Sequence, residues 1–131
     1  MMMMIDQLPT AAGQTIYKIC RADEWRVAQD AGAFAGSPDD VRDGFIHFST
    51  AEQLPQTAAK HFRGEDGLLL LAVDADALGA PLRWEPSRGG ALFPHLYGPL
   101  PVRAASKPVP LPLGDDGVPV LPDNLEAMAG T

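Results

Sequence analysis

The chain has 131 residues, 46% hydrophobic and 21% charged, enough for one globular domain with a substantial core and too few for two. Its net charge of −7 supplies no basic field to hold nucleic acid or an anionic membrane surface, and its longest apolar run, Leu68 to Val73, is far short of the about 20 residues a membrane span requires. The single cysteine, Cys20, excludes an internal disulfide and a cysteine-rich zinc site and agrees with a reducing cytoplasm.

Met1 to Ile5 are apolar but Asp6 follows at once, without the basic start and apolar stretch expected of a secretory signal. Residues 1–14 are therefore expected to be a flexible arm. Ile16-Tyr17-Lys18-Ile19-Cys20 alternates apolar and polar side chains and predicts a first strand. Ala22 to Ala31 follows with helix formers, acidic Asp23 and Glu24 in the first turn and Gly32 as a stop. Trp25 and Ala28 share one face of that helix, where core packing is expected. Ser37-Pro38-Asp39-Asp40 pairs an N-cap with proline at the first helical position and predicts a short helical turn.

A second strand is expected over Gly44 to Ser49, leading into a helix over about Ala51 to Phe62. Two overlapping capping boxes fit its start, Ser49 with Glu52 and Thr50 with Gln53. Leu54, Ala58, His61 and Phe62 form one stripe of the helix, and Gly64 closes it. His61, late in the helix, suits the dipole or the core. The continuous apolar run Leu68 to Val73 predicts a strand buried on both faces. Leu82 to Glu85, Ala91 to Gly98 and Val102 to Ala105 are further strand candidates. Ten of the 13 prolines lie at or beyond Pro81, and proline is confined to strand edges. Residues 107–131 are accordingly expected to form an extended edge segment or tail, leaving 15–106 as the domain. The predicted class is α+β, with mixed β-sheets and two helices in the N-terminal half.

Two segments carry candidate chemistry. In Phe45-Ile46-His47-Phe48-Ser49-Thr50, alternation puts Phe45, His47 and Ser49 on one face if Ile46 and Phe48 face the core, and that face ends at a helix start able to seat an anion. A half-buried histidine beside an ordinary cap fits the pattern equally well. In Phe93-Pro94-His95-Leu96-Tyr97, two aromatics flank an imidazole on one face, as for stacking on a flat ring. A core Phe93, with Tyr97 closing the end of a sheet, is the simpler alternative. Leu82-Arg83-Trp84-Glu85 puts Arg83 and Glu85 on one face and Leu82 and Trp84 on the other, and Glu85 could serve an imidazole as base or hold a sugar hydroxyl. His47, His61 and His95 have no metal-ligand spacing, so no metal site is expected. Hydrolase-elbow, P-loop and dinucleotide glycine motifs are all missing from the sequence.

The stretches Gly44 to Thr50, Leu82 to Glu85 and Phe93 to Leu100 resemble a small bacterial domain family of unknown function grouped with the ADP-ribosyltransferase-like fold. A more distant likeness, carried by Phe45 to Ser49, Lys60-His61 and Leu69 to Ala75, is to RNA 2′-phosphotransferases. These resemblances imply an ADP-ribosyltransferase-like domain that binds NAD or a related nucleotide. They place Lys18, His47, Ser49, Thr50, His95 and Tyr97 at the cofactor and imply catalytic roles for His47, Glu85 and His95. Lys18 stands where such transferases carry His or Arg, and the late strand lacks their glutamate, so Glu85 is the remaining carboxylate for an oxocarbenium-like state. The RNA-binding lobe of the phosphotransferases has no counterpart, and the expected partner is a small nucleotide ligand. The alternative is a non-enzymatic small-ligand-binding or protein-interaction domain.

Overall fold

A computed structural model describes residues 14–123 and 125; the predicted arm at 1–14 lies, but for Gln14, outside them. The chain runs β1 (Thr15–Arg21), α1 (Ala22–Ala31), β2 (Ala33–Phe34), α2 (Pro38–Asp43), β3 (Ile46–His47), α3 (Leu54–His61), β4 (Leu68–Asp74), β5 (Leu82–Pro86), β6 (Leu92–Leu96), β7 (Leu100–Pro101) and β8 (Val109–Leu111). Three sheets form, in the orders β1-β4-β8, β2-β7 and β3-β6-β5. The α+β class is as expected. No helix among the described residues is long and apolar enough to cross a membrane.

The expected mixed sheets are not found among the described residues, where every strand pairing is antiparallel. A parallel partner needs a crossover that carries the chain back to the end where it began. Here the segment between β1 and β4 leaves and returns at the same place, and the amide of Ala22 donates to the carbonyl of Gly67 at 2.9 Å. β4 therefore runs opposite to β1, pairing Thr15 with Asp74 and Arg21 with Leu68.

β4 is central in its sheet and buried on both faces, as its unbroken apolar run predicts. Leu71 and Val73 face one core with Ile16, Cys20, Trp25, Ala28, Phe34, Ile46, Phe48 and Leu96. Leu68, Leu70 and Ala72 face a second core with Tyr17, Ile19, Leu54, Ala58 and Leu111. Trp25 and Ala28 are core residues, as expected. The proline-rich segment supplies β8 at the sheet edge, where Pro110 removes no donor that a further strand would need, and Leu111 is buried in the second core.

Several elements differ from expectation in their bounds or type. The second strand shortens to Ile46–His47 because Gly44, at φ +90°, caps α2, while Ser49 leaves β6 and exchanges backbone hydrogen bonds with Tyr17 of β1 at 2.8 and 2.9 Å. That exchange joins the two three-stranded sheets. The third helix starts at Leu54, with Pro55 in its first turn where a missing amide costs least. Val102 to Ala104 is a 3-10 turn instead of a strand, since Pro99 and Pro101 leave Leu100 the lone donor between them and pairing with β2 stops after two residues. The short turn expected at Pro38 is a six-residue helix, so the described residues of the N-terminal half carry three helices and not two.

Candidate functional site

Sheet alternation builds the site. In the β3-β6-β5 sheet, Ile46, Leu96 and Leu82 form one cross-strand row, and His47, His95 and Arg83 form the next. The first row meets the core and the second faces away from it. Phe45 joins the outer row, its ring stacked on His95 at 4.1 Å between centroids, 4.6 Å from the His47 ring and 5.2 Å from the Tyr97 ring. The two imidazoles stand 5.6 Å apart, edge to face. The grouping of Phe45, His47, His95 and Tyr97 follows from the two sequence segments once β3 and β6 pair.

A cavity of about 250 Å³ opens beside this row, between β1, α2 and α3. Lys18, His47, Ser49 and His95 line it, with Phe48, Leu54, Phe62 and Phe93 as apolar wall. Four of the residues expected at a cofactor thus meet in one cavity. His61 also reaches it from the last turn of α3.

Lys18 is the charged residue in the interior of β1, between Tyr17 and Ile19, and it is buried. A buried ammonium requires a counter-charge, which Asp40 provides at 2.8 Å. Asp40 accepts from four donors: Lys18 Nζ and the Ser37 amide on Oδ2, the latter at 2.9 Å, and the His47 amide (3.1 Å) and His47 Nδ1 (2.6 Å) on Oδ1. Burial alone pushes this carboxyl up, but hydrogen bonds from His47 and Lys18 and the charge of Lys18 outweigh it and hold Asp40 well below the usual carboxylate range. Gly36 makes room for the arrangement. Its φ is +115°, and a side chain there would bring a Cβ to 2.8 Å from Asp40 Cβ.

Asp40 was not visible as a site residue in the sequence. The signal was Lys18 itself, a lysine in the interior of a strand between Tyr17 and Ile19, which demands a buried acid somewhere in the fold. Asp43 was missed likewise; its Oδ2 lies 3.0 Å from His47 Nε2. Both ring nitrogens of His47 thus face carboxylates. The bond from Arg42 is the main cause of a lowered Asp43 carboxyl.

Three expected site residues sit elsewhere. Thr50 does not line the cavity: its amide donates to Gln53 Oε1 at 3.0 Å and its hydroxyl accepts from the Gln53 amide at 3.2 Å, so of the two capping boxes the Thr50–Gln53 register forms. Ser49 is left for the cavity, its hydroxyl 3.0 Å from that of Thr57. Glu85 and Tyr97 lie behind His95 and not on the cavity wall. Glu85 Oε1 accepts from His95 Nδ1 at 2.8 Å and from the Tyr97 hydroxyl at 2.7 Å. Those bonds, His95 first, lower the Glu85 carboxyl, and the Tyr97 phenol is raised by the same contact. The guanidinium of Arg83 covers the Tyr97 ring at 5.1 Å. Cys20 is buried among apolar side chains, which pushes its thiol up to about 12. Among the described residues no three His, Cys, Asp or Glu side chains are placed to share a metal ion.

No curated protein matches the chain. Among solved structures it is similar to protein CC0527 from Caulobacter crescentus. The crystal structure of that protein is 50% identical, with a TM-score of 0.79 over 89% of this chain and 99% of that one. Its solution NMR structure is 53% identical, with a TM-score of 0.76 over 86% and 97%. The profile of a protein family of unknown function, DUF952, matches residues 19–107, a span that holds Asp40, His47, Glu85 and His95. With most of its length matched, and with the fold shared at half-identical sequence, the chain belongs to the DUF952 family.

Proposed function

We propose that the cavity binds NAD or a related nucleotide by its nicotinamide-ribose end, as an ADP-ribosyltransferase-like domain would. The observation that carries this reading is the convergence of Lys18, His47, Ser49 and His95, from β1, the β3 segment and β6, on one cavity. Its volume of about 250 Å³ suits one ring with its sugar, below the range of about 300–1,000 Å³ typical of sites for drug-sized ligands. Phe48 and Phe93 contribute apolar wall beside a bound ring, and the Ser49–Thr57 hydroxyl pair offers hydrogen bonds to a sugar. The phosphates would remain at the mouth. An acidic chain favours such a ligand over a nucleic acid.

Binding, not NAD cleavage, is the conclusion drawn. An oxocarbenium-like state needs a carboxylate facing it, and each carboxylate on the cavity wall already faces a cation: Asp40 meets Lys18, while Asp39 and Asp43 meet Arg42. A second reading, a module for another small ligand or a protein partner, is favoured by the occupation of both His47 ring nitrogens by Asp40 and Asp43.

An NMR titration with NAD, repeated on His47→Ala, tests the proposal. Shifts clustered on residues 45–49 and 93–96 and weakened in the variant are expected. An undisturbed spectrum at about 1 mM NAD, which sets affinity weaker than about −4 kcal/mol, overturns it. Nicotinamide release from NAD separates turnover from binding, since a pure binder releases none.

A further inference from the structure

The pairing of β5 with β6 sets Glu85 directly opposite Phe93, so its carboxylate reaches diagonally to the next residue on that face, His95. Oε1 meets His95 Nδ1 at 2.8 Å and is held from the other side by the Tyr97 hydroxyl at 2.7 Å. An ionised carboxylate only accepts, so the proton of the Glu85–His95 bond sits on Nδ1, and in the neutral ring the lone pair is then on Nε2. His95 is buried apart from the cavity that it lines, and Phe45 stacked at 23° to its plane fixes the ring. Among the described residues nothing bonds to Nε2. His47, by contrast, has carboxylates at both nitrogens and offers the cavity no such atom.

We infer that His95 is an acid–base residue of this cavity and that Glu85, clamped by Tyr97, is the positioning residue that sets its working tautomer. The ligand class is one that presents a hydroxyl proton, a sugar hydroxyl or a water held beside the ligand. That proton passes from oxygen to Nε2, and the carboxylate of Glu85 balances the imidazolium that results. The proton then returns from the same nitrogen to that oxygen or passes to solvent, so the step is a reversible proton transfer that makes and breaks only O–H and N–H bonds and consumes no oxidant or reductant. The inference shares the cavity with the nucleotide reading and does not depend on NAD as its occupant.

The test uses the whole chain, ¹⁵N-labelled and without ligand. Long-range ¹H–¹⁵N correlation at neutral pH is expected to show His95 protonated on Nδ1 and bare on Nε2, the less common neutral form of free histidine. In Glu85→Gln the tautomer preference is expected to change. Carbethoxylation of His95 by diethyl pyrocarbonate should then slow by about tenfold, the equivalent of ~1.4 kcal/mol. A wild-type His95 protonated on Nε2 overturns the base assignment. A folded Glu85→Gln protein with the same tautomer and a rate within about twofold overturns the positioning role. Tyr97→Phe, which keeps the carboxylate and removes the clamp, stands in if Glu85→Gln does not fold, and a smaller slowing in the same direction is expected of it. No nucleotide enters the experiment, so failure of the NAD reading appears only in the titration above.

Discussion

Lys18 Nζ lies 2.8 Å from Asp40 Oδ2, with the two side chains 5% and 2% exposed. This ion pair ties the first strand to α2, and through the second oxygen of Asp40 it also fixes the backbone and ring of His47. One carboxylate therefore organises the wall of the cavity on which the two histidine motifs meet.

Removing that carboxylate strands a buried ammonium. Asp40→Ala is expected to cost about 3–5 kcal/mol, a large share of the ~5–15 kcal/mol available to a domain of this kind. Lys18→Met should cost less, because Asp40 keeps the Ser37 amide, the His47 amide and the His47 ring as donors. Urea unfolding of the two variants beside the wild type measures the difference, and equal costs would contradict the hub role of Asp40.

Acid should unfold the protein partly through the same group. The Asp40 carboxyl is lowered in the folded chain and titrates near pH 4 when unfolded. Between those values the unfolded state binds more protons, so the stability contributed by Asp40 is present above about pH 4 and lost as pH falls toward the folded value. Asp40→Asn, which cannot titrate, is expected to start less stable and to show a flatter acid limb. Denaturation midpoints collected from pH 2 to 7 test it; parallel curves would remove Asp40 from the account.

Ser49 and Thr50 are adjacent hydroxyls with separate tasks. Thr50→Ala breaks the reciprocal bonds with Gln53 and is expected to cost about 1 kcal/mol while leaving NAD-induced shifts unchanged. Ser49→Ala removes the partner of Thr57 inside the cavity and should cost a similar ~1 kcal/mol and weaken ligand binding as well. Melting curves and the NAD titration on both variants separate the roles.

Cys20 should be inert in the folded protein. Burial pushes its thiol up to about 12, and the thiolate is the reactive form. Reaction with a thiol reagent at neutral pH is expected only as the chain opens, so its rate should rise with denaturant in step with unfolding. Fast labelling under native conditions would show that the first core is open around β1.

The β1 strand, α1, the central β4 and the proline-limited edge at β8 were legible because each rests on a local rule: alternation, dipole and glycine signals, an unbroken apolar run, a missing donor. The opposed His47 and His95 faces were legible for the same reason, once each segment was read as a strand. The antiparallel course of every sheet was not, since it depends on where α1 to α3 return the chain. Nor was the choice between Ser49 and Thr50 as cap, because both fit the capping pattern and the backbone exchange of Ser49 with Tyr17 excludes one.

The sequence by itself determined which residues can carry charge or chemistry and which faces of their strands they occupy, because alternation and capping act within a few residues. Only the tertiary structure decided their partners. Asp40 is 22 residues from Lys18 in the chain and seven from His47, and nothing local sets such distances. Burial of Lys18 beneath α2 made Asp40 its necessary counter-charge, and the β5–β6 register put Glu85 behind His95 in place of the cavity.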